Sequence, residues 1–477
     1  MKSTFVTTTA NSAHPEAARS LGRLNSATLR FALYLLIIGI LPEGYGATSA
    51  PAGVLLAADG LSHLVMLLDL STSTPPRPFT SGATMDFLSD MVFGPDGHLY
   101  VLDGHYDEGT NRVLRFNGRT GALIDVFSQL GPEGWDGSLT FSPEGSMYVI
   151  CSWQTIRRYN GTTGELVGDV LSLVDSTLYS ITVGPDSRLY FTGGDYFDLQ
   201  FGMIDFGFIA RSRFDGTQLE ILDSGGGSNG PRKPVWDREG NFYAADLNDG
   251  VVRQYEGKTG QLIGVFADPP GTGTVALAFG ANGLLYISRV WDSAIFCANG
   301  TNGMILGTLT TNVQAAALIS VPAPEITAQP QAQTTRQGGT AAFGLACRSV
   351  AVASYQWNLD GVPIEGATNA SLTLVGVTTN QAGNYSAVVS NIGGAVTSQV
   401  ATLTVLLPAR LSITGVSSNG TCAILLTGDD TGIYAIESST NLTDWAWLGT
   451  WWARKPPVGT FYEPLAPKRF FRARLLP

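Results

Sequence analysis

The chain has 477 residues, more than one hydrophobic core accommodates, so two to four domains are expected. Only 14% of its residues are charged, against 57 glycines and 10% aromatics, which fits a turn-rich β protein and argues against a helical one. The net charge of −11 sits mainly in residues 51–321, where 29 acidic residues face 15 basic ones, a body that repels phosphate backbones and excludes nucleic acid as a partner.

Residues 1–50 read as a secretory signal peptide. Lys2, Arg19, Arg23 and Arg30 precede an apolar run, Phe31 to Leu41, and then the small residues Gly46 to Ala50. The run is well short of the ~20 apolar residues a membrane-crossing helix needs, so no membrane span is expected. Cleavage near Ala47–Ala50 would leave a secreted protein, extracellular or at the cell surface.

Residues 51–321 repeat one pattern. Phe93-Gly-Pro-Asp-Gly-His-Leu-Tyr-Val101 with Arg112-Val-Leu-Arg-Phe-Asn-Gly-Arg-Thr-Gly121 recurs as Phe141-Ser-Pro-Glu-Gly-Ser-Met-Tyr-Val149 with Thr155 to Gly164. It recurs again as Trp236-Asp-Arg-Glu-Gly-Asn-Phe-Tyr-Ala244 with Val251 to Gly260, and more loosely from Val183 and Phe279. A period of roughly 40–50 residues made of short strands and glycine turns is the mark of a β-propeller. In each copy a strand ends at a Pro-Asp-Gly-type turn, a tyrosine-bearing strand follows, and a third strand enters the hairpin signal Asn-Gly-x-Thr-Gly. Gly97, Gly145, Gly240 and Gly283, with Ser187 in the weakest copy, mark five whole repeats. The sixth is split: Val54 to Asp59 and Leu64 to Leu70 need Ala315 to Val321 as their first strand, and that pairing closes the ring without an exposed edge. The fold class is therefore all-β, a six-bladed β-propeller followed by two β-sandwich domains.

These repeats resemble NHL-type six-bladed propellers of exported bacterial proteins, a likeness that implies the fold and leaves the function open. Residues 322–407 resemble an I-set immunoglobulin domain through Gly338-Gly339, Cys347, Tyr355-Gln-Trp357, Leu359-Asp-Gly361 and Gln381-Ala-Gly-Asn-Tyr385. The resemblance implies a buried Trp357 and a tyrosine corner at Tyr385. Ala387 stands where the second cysteine belongs, so no intersheet disulfide forms and Cys347 is expected as a buried thiol. Residues 408–477 resemble a fibronectin-III-like tail through Tyr434 to Glu437, Ser439-Thr-Asn-Leu-Thr-Asp-Trp445 and Arg469 to Leu475. Trp445, Trp447, Trp451 and Trp452 read as filling its small core and rim, with an exposed carbohydrate or protein contact as the alternative.

Alternate turns of a four-stranded blade face opposite ends of the ring. The stereotyped turns share one face; the loops after the tyrosine strand and between blades share the other. That variable face carries the candidate ligand-binding residues Asp59, Asp103, His105, Trp153, Asp195, Asp246, Arg289 and Trp291. The fold also resembles regucalcin-type lactonases, which implies a divalent metal at the channel mouth. Asp59, Asp103, Asp195 and Asp246 suit a hard cation such as calcium, yet an aspartate after a strand commonly caps its own turn. His105, between Asp103 and Asp107, is the one histidine placed as a general base, without a second catalytic partner. No catalytic residue, metal ligand set or cofactor is assigned. The reading is an exported, non-catalytic binding protein for a protein or carbohydrate ligand, with a metal-dependent lactonase-like hydrolase or a lyase as the alternative.

Overall fold

Local turn chemistry sets the blades. In a computed structural model the described residues are 53–72, 74–104, 111–131, 137–173, 176–195, 207–224, 230–416, 418, 420–427, 433–452, 460–464 and 469–476. At the Pro-Asp-Gly turn the Gly97 amide donates to Gly94 O and the Gly94 amide to His98 O, both at 2.9 Å. At the following hairpin the Asn117 side chain accepts from the amides of Arg119 and Thr120, and the same clasp recurs at Asn160 and Asn299. The two turns of one blade touch, since a Cβ on Gly118, Gly161, Gly257 or Gly300 would strike the carbonyl of Gly97, Gly145, Gly240 or Gly283.

Six four-stranded antiparallel sheets result, among the described residues. Their first strands are Phe87–Phe93, Leu139–Phe141, Ser176–Val183, Val235–Trp236, Thr274–Phe279 and Ala315–Val321. The last is the far-end strand that the split repeat demanded: it pairs with Val54–Asp59 from Val54↔Val321 to Asp59↔Ala315. The repeated tyrosines Tyr100, Tyr148, Tyr190, Tyr243 and Tyr286 are buried, and they cement neighbouring blades. Tyr100, for example, meets Phe127 and Phe141 of its own and the next blade edge-on at 4.9 and 4.8 Å.

A sandwich follows. Its main sheet joins Gln333–Arg336, Ala401–Leu406, Gly383–Asn391 and Ser354–Leu359, facing Thr340–Gly344 paired with Ser371–Val375. Trp357 is fully buried, and the Tyr385 hydroxyl donates to Gln381 O at 2.7 Å, closing the expected corner. Cys347 corrects the expectation of a buried thiol. It lies half-buried on the short strand Ala346–Arg348, with Sγ 3.1 Å from the Tyr355 hydroxyl, because Phe343 and Leu345 fill the core. Ala387 is buried opposite Trp357. The last sandwich packs Leu426, Tyr434 and Ile436 between two three-stranded sheets.

The first sandwich is seated on the stereotyped face of the ring. The Val352 amide donates to Gly97 O at 3.2 Å, and Ala351 is buried with Val101 and Leu114 in a blade core. The Asn391 side chain donates to Pro322 O at 2.9 Å. No helix among the described residues is long and apolar enough to cross a membrane.

Candidate functional site

Five of the six first strands, with Gly137 and Ser138 just ahead of the remaining one, surround a central cavity of about 650 Å³. Phe87, Trp153 and Val290 line it toward the variable face; Phe93, Ile319 and Val350 line it toward the stereotyped face. Most of the wall is apolar, as expected where small and branched residues of inner strands meet.

One charged pair crosses it. Asp90, on Phe87–Phe93, accepts from Lys233 Nζ at 2.6 Å, Ser138 Oγ at 2.5 Å and the Leu139 amide at 3.0 Å, all on one carboxylate oxygen. Its other oxygen accepts from the Met91 amide at 2.8 Å. Lys233 also donates to Leu139 O at 3.2 Å. Since Asp90 belongs to the second blade and Lys233 leads into the fifth, the pair ties opposite sides of the ring. Buried charges persist when paired and hydrogen-bonded in this way. Arg232 lies with its guanidinium 4.2 Å from the centroid of the Tyr179 ring. Ser89 Oγ and Trp236 Nε1 are buried with no hydrogen-bond partner among the described residues, and both residues line the cavity.

The strand-end carboxylates do something else. Asp59 accepts from the amides of Leu61, Ser62 and Gln314, the last at 2.7 Å, and from Ser62 Oγ at 2.6 Å. Asp103 accepts from the Asp86 amide at 2.8 Å and from Arg112 Nε at 2.9 Å. Asp246 accepts from the Asp249 amide at 3.1 Å and from Arg253 Nε at 3.3 Å. Asp59 and Asp246 cap the loops that follow them, Asp103 instead holds the amides of Asp86 and Phe87 at the start of its blade's first strand, and each of the three is buried. Among the described residues no three His, Cys, Asp or Glu side chains converge as metal ligands would. Arg289 is also committed: it donates to Thr272 O at 3.0 Å and pairs with Asp292 at 3.1 Å.

Two candidates remain outward. Trp291 is 61% exposed, with its ring against Gly273, and Trp153 is 44% exposed at the cavity rim with a left-handed φ of 65°. Of the eight sequence-derived candidates, Trp153 alone lines the cavity; Asp59, Asp103, Asp246, Arg289 and Trp291 sit on the same face at the ends of second strands or just beyond. Asp195 closes the strand Leu189–Asp195 and pairs with Ser176, its side chain outside the described residues. His105 lies outside the described residues altogether, as does Asp107 beside it.

Sequence reasoning missed Asp90, Lys233 and Trp236. A lone aspartate inside the otherwise apolar Phe87-Leu-Ser-Asp-Met-Val-Phe93 was a usable signal, because a charge at such a position demands a partner. Its partner lies 143 residues away and no local pattern announces it. In the last sandwich the tryptophans divide. Trp451 packs on the core, Trp445 carries the Arg472 guanidinium at 4.1 Å, and Trp447 is exposed.

No protein-family model matches the sequence, and no curated protein matches it. Among solved structures the chain is similar to one from a nidogen/laminin complex, at 15% identity over 56% of this chain and 98% of that one, with a TM-score of 0.44. It is similar to a gluconolactonase of Xanthomonas campestris at 15% identity, over 58% of this chain and 91% of that one, with a TM-score of 0.38. A titin M4 structure matches 17% of this chain and 95% of that one at 26% identity, with a TM-score of 0.16. At such scores none of the three bears on what this chain binds.

Proposed function

We propose that the protein is an exported, non-catalytic binding protein whose propeller offers its variable face to a carbohydrate or protein ligand. One observation carries the reading. Asp59, Asp103 and Asp246 spend their carboxylates on backbone amides and arginines, while Trp153 and Trp291 stand exposed on the same face. Such a face supplies aromatic contact area rather than acid, base or metal chemistry. In this reading residues 1–50 are the export signal, 51–321 an NHL-like propeller, and 322–407 and 408–477 immunoglobulin-like and fibronectin-III-like modules that space and attach it.

The test is a calorimetric screen of neutral and uronic-acid oligosaccharides, then of candidate protein ligands, against the full chain. Trp153→Ala and Trp291→Ala should each weaken a hit by about tenfold or more, with unchanged thermal midpoints. Binding indifferent to both substitutions would sink the assignment of this face. A parallel arm strips metal from the protein and titrates calcium, magnesium, manganese and zinc during thermal unfolding. The binding-protein reading expects no rise; a saturable rise lost in Asp103→Asn would put the lactonase-like alternative first.

A further inference from the structure

One blade enters the ring differently from the rest. Its first strand, Val235–Trp236, has two residues, whereas four of the other five have six to eight. Ahead of it runs Pro231-Arg-Lys-Pro234, in which Pro231 bridges Asp246 and the Arg232 amide donates to Ala245 O at 2.8 Å. Pro234 confines Lys233 to extended backbone, and Pro231 fixes its own φ, so the two cations are set in place before any ligand arrives. Arg232 and Lys233 both line the central cavity.

The charge of that wall runs against the charge of the body. Residues 51–321 hold 29 acidic and 15 basic residues, yet the described residues lining the cavity include two cations and one carboxylate. The carboxylate, Asp90, is already matched by Lys233, Ser138 and the amides of Leu139 and Met91. Lys233 spends one donor on Asp90 and a second on Leu139 O, and an ammonium has three. Its side chain is 26% exposed, so solutes reach it. Arg232 rests 4.2 Å from the centroid of the Tyr179 ring. Ring contact engages the face of a guanidinium, whereas its five N–H donors radiate along the edge, in the fork that grips a carboxylate. The rest of the lining is largely apolar, through residues such as Met91, Val275, Leu277 and Ile319.

We infer that the central cavity binds a small monocarboxylate with an apolar body, its charge paired with Arg232 beside the Asp90–Lys233 bridge. The surplus of one positive charge among the described lining residues matches one negative charge on the ligand. A volume of about 650 Å³ falls in the size range of small-molecule pockets, which are apolar with a few placed polar groups. This site goes beyond the face contact of the proposed function and stands without it.

The test is calorimetric titration of the full chain with 2-naphthoate and with its neutral isostere 2-naphthamide. Saturable binding of one naphthoate per chain is expected, with the amide weaker by about tenfold or more. Arg232→Gln should weaken naphthoate by about tenfold or more and spare naphthamide. Arg119→Gln, which removes the same charge from an exposed turn, should change neither. In the unaltered, methyl-labelled protein, nuclear Overhauser contacts from the naphthoate ring should reach Val275 and Ile319. That reading stands even if Arg232→Gln fails to fold. Absence of saturable naphthoate binding, equal binding of the amide, unaltered affinity in a folded Arg232→Gln, or contacts only to methyls outside the cavity would overturn the site. Tighter binding of 2-naphthalenesulfonate than of naphthoate would overturn the carboxylate in favour of a tetrahedral anion.

Discussion

Gly97, Gly145, Gly240 and Gly283 hold one turn position at φ between 74° and 90°, and Ser187 holds it at φ 57°. A side chain in the left-handed region crowds its own carbonyl, which costs roughly 1 kcal/mol. The serine copy bonds like the others, its amide donating to Gly184 O at 3.0 Å, so it bears the strain with no visible return. Ser187→Gly should therefore raise stability by about 0.5–1 kcal/mol in urea unfolding. An unchanged or lowered midpoint would show that the serine makes a compensating contact. At this scale the sequence was readable wherever a residue acts on its neighbours. The aspartates at strand ends were legible as turn caps because the partners of Asp59 include residues two and three positions on. Cys347 was misplaced because which face of a strand meets the core depends on register with a distant strand, here Glu325–Ala328.

The repeating element is a strand whose tyrosine is buried between blades while its hydroxyl stays tied to the preceding turn. Tyr100 donates to Asp96 at 3.0 Å, Tyr190 to Asp186 at 3.1 Å and Tyr243 to Asp237 at 2.9 Å; at Tyr286 an asparagine, Asn282, donates instead. Burial disfavours the phenolate, and it pushes Tyr100 from the ordinary 10.0 up to about 12. Tyr148, Tyr190, Tyr243 and Tyr286 are raised as well, burial being the first cause in each. A raised native value means the folded chain holds the proton more tightly than the unfolded chain does. The stabilisation is whole below pH 10 and disappears as pH rises through about 12. Denaturant midpoints should hold steady to pH 10 and then fall, with these tyrosines ionising late in an absorbance titration. Simple ionisation near pH 10 in the folded state would contradict the buried placement. The motif Pro-Asp-Gly-x-x-Tyr made this element legible, since both partners lie within one turn and strand.

Across the molecule, contacts far apart in sequence decide. Lys233→Met leaves the buried Asp90 carboxylate without its cation and should cost about 3 kcal/mol, toward the low end because Ser138 and two amides remain. Adding Asp90→Leu should recover most of that loss, a non-additivity that a double-mutant cycle would expose. Additive costs would mean the pair does not couple the opposite blades. Domain seating offers a second check. Gly97→Ala and Gly145→Ala both meet the left-handed penalty, but only at Gly97 would the new Cβ strike the seated sandwich, 2.9 Å from Val352 N. Calorimetry should show one shifted transition for Gly145→Ala and a split one for Gly97→Ala. A single transition in both would show that the sandwich adds little to ring stability.

The sequence by itself determined the blades, their number and the strand that closes them, because turn signals, alternation and a recurring period are local and repeat. It also marked the face whose loops vary. Only the tertiary structure decided which distant groups reach the acidic strand ends, namely Arg112, Arg253 and the Gln314 amide. It likewise decided that Asp90 meets Lys233 across the ring and that Val350, from the next domain, lines the cavity. Pairings of this kind are set by how blades and domains stack, and a one-dimensional pattern carries no record of them.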